Sequence, residues 1–375
     1  MTNVRAPLWR LASRLAICIF AACCGSAPAQ DSEYARAVSD TGKTVRKLQE
    51  RILAGPEHPL PAWALGPFSQ GSVDGRKMEF RIRPKWTDPA GVKGWQPRAF
   101  WNPALIEDNG RLYMFYRTGP DLEGLDSRIA LAWSDDRGVT WQDYDKNPII
   151  YPTEPWESRS VEDPRIYRYA GKYYLYYIAA QNREGGGVYA DMALATSDDL
   201  RHWTKQGRVM SRDVSKGWAK SPVIPRSPKG DAVMINGQFL MYVSERPFAS
   251  SDDVQEQMIG RSTDLIHWTF EQKPFLAPDE HIDSIFELAT LITDFPASDD
   301  MVGDVFYLDP KKEMRCGQAL YHLAEPTRRL AFTDYGVCSW GGKIVYDGLW
   351  VYAQGWLEKD AIQLYTAPER RRPPP

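Results

Sequence analysis

Four carboxylates in this chain stand where acid–base chemistry could be done. Glu162 and Asp163 open the string Glu162-Asp163-Pro164-Arg165. Glu245 ends the aromatic run that starts at Phe239, and Glu287 follows Phe286. Two carboxyl groups suffice to cleave a glycosidic bond. One protonates the leaving oxygen, and the other activates the nucleophile or acts as one. Asp163 and Glu162 are the candidates for the acid, with Glu287 and Glu245 as partners. Taken alone, Glu-Asp-Pro-Arg marks a capped turn with a surface ion pair. Its weight comes from its place in a repeating pattern.

That pattern is a phrase met three times: Ala130-Leu131-Ala132-Trp133-Ser134-Asp135-Asp136 before Trp141, Ala193-Leu194-Ala195-Thr196-Ser197-Asp198-Asp199 before Trp203, and Ile259-Gly260-Arg261-Ser262-Thr263-Asp264 before Trp268. A phrase recurring about every 65 residues signals an architecture of repeated units. Upstream of each lies an aromatic strand after a Gly turn, such as Gly171-Lys172-Tyr173-Tyr174-Leu175-Tyr176-Tyr177. Weaker copies are Asp304–Leu308 and Asp347–Tyr352. Aromatic and β-branched residues favour strands, and Gly between runs marks hairpins. Short apolar runs precede the aromatic strands, at Ala104–Ile106, Arg165–Tyr167, Ala232–Ile235, Leu288–Ile292 and Lys343–Tyr346. The fold class predicted is all-β, a five-bladed β-propeller with an N-terminal helix. The fifth unit is short, and a strand from elsewhere must complete it. The Ser-x-Asp phrase is read as structural: Asp caps a turn and Trp fills the space between sheets.

In a small propeller the first strand of each blade lines a central funnel, so a site should draw on the starts of those strands. These positions hold Trp101-Asn102-Pro103, Val161 to Arg165, Lys220-Ser221-Pro222, Phe286-Glu287 and Cys338-Ser339-Trp340. Polar residues recur there, so Trp101, Asn102 and Glu162 are expected to meet substrate.

Composition narrows the partners. The chain has 375 residues, 43% of them hydrophobic, and a net charge of −3. It can bury a large core, and it lacks the basic balance that favours nucleic acid. Arg5, Arg10 and Arg14, the apolar run from Leu15 to Cys24, and Ala27-Pro28-Ala29 read as an export signal over 1–29. That run is too short for a membrane span. Lipidation at Cys23 ranks second. Only Cys316 and Cys338 remain after the signal, as two thiols or one disulfide. Two Cys and few His make no zinc site, and no metal or cofactor is expected. Residues 30–94 form a lead-in. Within it, Ala37, Val45, Leu48 and Ile52 follow helical spacing, in a helix that packs beside the propeller or bridges to a second copy. The propeller should span 95–367, and the Arg370–Pro375 tail should be disordered.

The ordered set of motifs resembles the five-bladed propeller glycosidases, most of all glycoside hydrolase family 130, the β-mannoside phosphorylases and β-mannosidases. It comprises Phe100-Trp101-Asn102-Pro103-Ala104, Leu112 to Arg117, Glu162-Asp163-Pro164-Arg165, Lys220 and Glu245-Arg246-Pro247, and the resemblance covers Trp95 to Ala367. It implies an oligo- or polysaccharide substrate and Asp163 as general acid, its proton passing through a substrate hydroxyl. Arg117, Arg165, Lys220 and Arg246 would line the subsite that holds phosphate in the phosphorylases; guanidinium and ammonium groups suit that anion. For Arg117 and Arg165, pairing with funnel carboxylates is the plainer expectation.

Two departures shift the expected reaction. The phosphorylases tend to carry His where this chain has Glu245, and Lys-Asp where it has Lys220-Ser221; segment 286–288 also lacks the family's Gly- and Pro-rich stretch. A carboxylate at 245 repels phosphate and could activate water. With export, the expectation is hydrolysis with inversion, phosphorolysis being the alternative. Three rivals stand beside it. Arabinanase- or fructosidase-like propellers need an Asp where Asn102 stands, unless Asp88 or Asp108 serves. A sialidase would match Ser134 to Trp141 but needs six blades. A binding propeller would have lost catalysis.

Overall fold

The computed structural model describes residues 43, 46–120, 126–184, 188–245, 256–294, 296–325, 327–337, 341–358 and 360–369. Four short strands come first: β1 (Ser69–Gln70), β2 (Ser72–Val73), β3 (Arg76–Lys77) and β4 (Glu79–Phe80). Four antiparallel meanders follow. They are β5 (Ala99–Asp108), β6 (Arg111–Gly119), β7 (Arg128–Ser134) and β8 (Gln142–Asp143); β9 (Ser160–Tyr169), β10 (Lys172–Asn182), β11 (Val188–Ser197) and β12 (Thr204–Arg208); β13 (Ala219–Val223), β14 (Phe239–Glu245), β15 (Glu256–Ser262) and β16 (Thr269–Gln272); and β17 (Ser284–Thr293), β18 (Asp300–Leu308), β19 (Met314–His322) and β20 (Arg329–Thr333). The last sheet holds β21 (Lys343–Tyr346), β22 (Leu349–Glu358) and β23 (Ala361–Pro368).

The missing strand of that last sheet comes from the lead-in. Ser69 and Gln70 pair with Thr366 and Tyr365, while Glu79 and Phe80 pair with Gln363 and Ile362. The ring is therefore closed by a segment that precedes the first blade, and part of the lead-in belongs to the propeller. Closure covers the edge of β23, which would otherwise present unpaired N–H and C=O groups.

Each sheet buries both faces, and strand alternation decides which neighbour each face meets. In β10, Tyr173, Leu175, Tyr177 and Ala179 share a core with Phe115 and Leu131 of the preceding blade. Tyr174, Tyr176 and Ile178 share another with Met241 and Val243 of the following one. The aromatic middle strands are thus the packing layer between blades.

The repeated turns behave as expected. Asp199 accepts hydrogen bonds from the backbone N–H groups of Arg201 and His202 at 2.9 and 2.8 Å, and Asp264 does the same for Ile266 and His267. The Trp after each turn meets the preceding blade edge to face: Trp203 on Phe115, Trp268 on Tyr176, and Trp141 on Phe80 of the closing sheet. These residues do structural work at the edge remote from the funnel mouth.

One expected strand is not formed as such. Ala232–Ile235 makes isolated bridges, and the first strand of the third blade is β13. Pro225 and Pro228 lie between β13 and that run. Proline has no N–H for a ladder, so the chain leaves strand geometry there.

Among the described residues the helix takes in 43 and 46–54. It buries Leu48 and Ile52, the latter beside Phe68 and Tyr335, so it packs on the propeller. Cys316 is disulfide-bonded; Cys338, Ser339 and Trp340 lie outside the described residues, as do 1–42, with the export signal, and the 370–375 tail. Among the described residues, no helix is long and apolar enough to cross a membrane.

Candidate active site

Three neighbouring first strands carry the same irregularity. In β5, β9 and β13 the pairing register slips at Asn102-Pro103, Asp163-Pro164 and Ser221-Pro222. The residue before each Pro takes left-handed backbone, with φ of 43° at Asn102, 56° at Asp163 and 58° at Ser221. A bulge accommodates a proline that cannot donate to the ladder, and it re-aims the neighbouring side chain. Left-handed backbone is uncommon outside Gly, with Asn and Asp the usual exceptions, and such strain gathers at functional sites. Asn102 and Asp163 suit it. Ser221 suits it less, and the bulge imposes it there as well.

The bulges bring the charged residues together. Asn102 donates from Nδ2 to Asp163 Oδ1 at 2.5 Å. Arg117, on β6, reaches the same oxygen through Nη1 at 3.0 Å and pairs with Glu162 through Nη2. Lys220 Nζ lies 2.6 Å from Glu162 Oε1 and 3.7 Å from Asp163 Oδ2. Arg165 donates through Nη2 to Glu287 Oε1 at 2.8 Å. All seven side chains are buried. Trp101 forms the floor under Arg117, whose guanidinium carbon is 4.9 Å from its ring centre. A Cβ at Gly355 would stand 2.8 Å from the Trp101 backbone, so only Gly lets β22 come this close.

The electrostatics have one clear direction. Burial pushes the Asp163 carboxyl up, but Arg117, Lys220, the Asn102 hydrogen bond and Arg165 outweigh it and hold it below the usual carboxylate range. Asp163 is therefore ionised in the unliganded funnel. Among the described residues the cluster balances Arg117, Arg165 and Lys220 against Glu162, Asp163 and Glu287. Arg165 is an exception within that balance: its Nε and Nη1 are buried with no hydrogen-bond partner among the described residues.

Of the residues expected from sequence, the structure gathers Trp101, Asn102, Arg117, Glu162, Asp163, Arg165, Lys220 and Glu287. Arg246 lies outside the described residues, and so does the Glu245 side chain. The Glu245 backbone ends β14 opposite Ala219, one residue from Lys220. The expected ion pairing of Arg117 and Arg165 is present. The two alternative acidic residues are placed elsewhere. Asp108 is at the far end of β5, where it accepts a hydrogen bond from Tyr173 Oη at 2.7 Å, and Asp88 is held by Arg128 at 2.8 Å. Five blades, not six, remove the sialidase match.

Sequence reasoning passed over two residues. Trp218 lies 5.3 Å under Lys220 Nζ, and Ser127 Oγ accepts from Arg117 Nε at 2.9 Å. Both precede strands at the mouth edge, a position that could have flagged them.

Likeness to known proteins agrees with this geometry. The family described as beta-1,4-mannooligosaccharide phosphorylase, glycoside hydrolase family 130, matches residues 78–292. A 1,2-beta-oligomannan phosphorylase of Thermoanaerobacter sp. (strain X514) is 28% identical over 257 residues, which cover 65% of this chain and 76% of that protein. A beta-1,2-mannobiose phosphorylase of the same organism is 27% identical over 170 residues, 41% of this chain and 49% of the other. A solved glycosyl hydrolase from Bacteroides ovatus superimposes with a TM-score of 0.66 at 21% identity, over 85% of this chain and 98% of that one, a likeness of fold.

Proposed function

This chain belongs to glycoside hydrolase family 130, and as such an enzyme we propose that it cleaves β-mannosides by phosphorolysis, with Asp163 as general acid. A phosphate oxygen attacks the anomeric carbon from the face opposite the leaving oxygen. The glycosidic C–O bond breaks, the proton of Asp163 reaches the leaving oxygen, and a sugar 1-phosphate forms with inversion. The curated relatives point to β-1,2 linkages.

Arg165 carries the reading. It is buried, and among the described residues two of its N–H-bearing nitrogens have no hydrogen-bond partner. A buried cation with idle donors is costly unless something fills the place, and a phosphate oxygen suits a guanidinium fork. The space beside Nη1 is kept by Gly341, where a Cβ would stand 3.3 Å from that nitrogen. An anion also supplies what the acid needs. Arg117 and Lys220 hold Asp163 ionised, and a phosphate that shares these cations weakens their grip and lets the carboxyl take up a proton.

Hydrolysis is the second reading. It is favoured by Glu245 at the end of β14, beside the strand that carries Lys220. A carboxylate there could activate water. The leader-like segment 1–29 supports an exported enzyme, for which a sugar phosphate is of less use, and points the same way.

The test is turnover of β-1,2-mannobiose and aryl β-mannosides with and without inorganic phosphate. Sugar 1-phosphate formed only when phosphate is present supports phosphorolysis. Free mannose released at the same rate without phosphate, and abolished by Glu245→Gln, replaces it with hydrolysis. Full activity of Asp163→Asn would remove the acid assignment from both.

A further inference from the structure

Ser127 is fully buried and lies one residue before β7, in the first blade. Its hydroxyl is used in both directions. Oγ accepts from Arg117 Nε at 2.9 Å and donates to the carbonyl of Val161 at 3.1 Å. Its own carbonyl accepts from the Val161 N–H at 3.2 Å and from Arg128 Nη1 at 2.9 Å. Val161 directly precedes Glu162 and Asp163. One serine therefore stitches the first blade to the second beside the bulge, and holds the one Arg117 nitrogen that faces neither carboxylate.

Ser127 is itself anchored from the lead-in. Arg128 turns its Nε and Nη2 onto the two oxygens of Asp88, each at 2.8 Å, and both side chains are buried. Asp88 also caps its own turn, accepting from the N–H groups of Ala90 and Val92 at 3.2 and 3.3 Å. The Arg128 guanidinium lies 5.3 Å from the Trp95 ring centre. A bidentate, desolvated pair of this kind is geometrically exacting, so it fixes the backbone that carries Ser127.

A guanidinium bonded along one edge only can swing about its terminal bonds. Held at Nε as well, the planar group keeps Nη1 aimed at Asp163 and Nη2 at Glu162. We propose that Ser127 is a positioning residue for glycoside cleavage: by fixing Arg117 and the strand before Asp163, it sets the aim of the acid and the charge that faces it. The inference rests on the reading of Asp163 as the acid, and it assigns a working role to the pair that ties Asp88 of the lead-in to Arg128 of β7.

The experiment compares Ser127→Ala and Ser127→Thr with the unmodified full chain on β-1,2-mannobiose and aryl β-mannosides with phosphate, across pH. In Ser127→Ala, kcat should fall about tenfold to a hundredfold, the scale of a small misplacement of catalytic groups. The high-pH limb of kcat/KM should move upward, because a loosened Arg117 holds Asp163 ionised less strongly. Ser127→Thr keeps the hydroxyl and should keep the limb. In an Arg117→Lys background, where no Nε remains to be held, Ser127→Ala should cost little more; residues acting through one another are non-additive. Should Ser127→Ala not fold, Ser127→Cys keeps the volume with a poor hydrogen-bonding group and is read in the same way.

An unmoved limb, or the same loss in the Arg117→Lys background, overturns the inference and reduces Ser127 to a packing residue. If Asp163→Asn is inactive while Ser127→Ala leaves kcat and the limb unchanged, the inference alone fails. If Asp163→Asn is active, or the unmodified chain turns over none of these substrates, the reading beneath it fails as well.

Discussion

Asn102 and Asp163 meet across the junction of the first two blades, where the amide nitrogen of one lies 2.5 Å from a carboxylate oxygen of the other. Both hold left-handed backbone one residue before a proline. The contact joins two copies of one irregularity, and the chemistry proposed for this enzyme sits on it.

Asn102 can be tested without confusing backbone with side chain. Asn102→Gly keeps a residue at home at φ 43° and removes the hydrogen bond. A hydrogen bond to a charged group is worth about 1.5–3 kcal/mol, so kcat/KM should fall roughly 10- to 100-fold, and Tm should fall too, because the bond is already made in the free protein. Asn102→Ala should lose similar activity and be less stable than Asn102→Gly by about 1–2 kcal/mol, the cost of left-handed backbone for a residue with a Cβ. Steady-state kinetics and denaturant unfolding of the pair separate the two effects. Equal stability of the two variants would argue against strain at this site.

The pH profile should depend on phosphate. An acid must be protonated to act, so activity falls as pH rises through its pKa. Asp163 lies below the usual carboxylate range in the free funnel because Arg117 and Lys220 favour its charged form despite burial. Saturating phosphate should move the high-pH limb upward by offsetting those cations. Profiles at low and saturating phosphate check this, and a shift downward would contradict the proposed role of the anion.

Removal of an inter-blade Trp should weaken the fold without touching the site. Trp203 is half-buried and packs edge to face on Phe115, with ring centres 5.6 Å apart. Trp203→Ala should cost about 3 kcal/mol, near the low end for a large aromatic because the site is incompletely buried. KM should stay within about twofold of the original, since Trp203 lies at the blade edge opposite Asp163. Urea unfolding with substrate kinetics provides the measurement.

Between the fourth and fifth blades, Lys343 and Asp304 form a fully buried ion pair, and Tyr352 Oη donates to Asp304 Oδ1 at 2.9 Å. Burial pushes the Lys343 ammonium down to about 8, though Asp304 opposes it. Lys343→Met should destabilise by about 3–5 kcal/mol, because it leaves a buried carboxylate uncompensated. Adding Asp304→Asn should recover much of that loss. The sign of the pH effect follows from proton counting. Between about pH 8 and the ordinary lysine value the unfolded chain binds the extra proton, so the Lys343 contribution to stability rises with pH in that window. The double variant should lack that rise when unfolding is followed by denaturant.

The blade count, the aromatic middle strands and the capped turns were legible in the sequence because they rest on local periodicity and turn chemistry. The funnel positions were legible for a related reason: Trp101-Asn102-Pro103, Asp163-Pro164 and Ser221-Pro222 stand at equivalent points of one repeat. The closing strands were not. Ser69–Gln70 and Glu79–Phe80 are too short to show a period, and only their pairing with β23 makes them strands. The Ala232–Ile235 run looked like a strand by composition, yet the prolines before it leave no ladder for it to join.

The sequence by itself determined that this chain builds a five-bladed propeller with charged residues around its axis, since repetition along a chain becomes rotation about a centre. Which carboxylate faces which cation was decided only by the tertiary structure. Arg117 and Asp163 are far apart in sequence and 3.0 Å apart in space, and Ser127, which holds that arginine, belongs to no motif. Contacts between side chains of different blades depend on bulges, blade tilt and ring closure together. No single segment carries that information, because each blade supplies only part of the site.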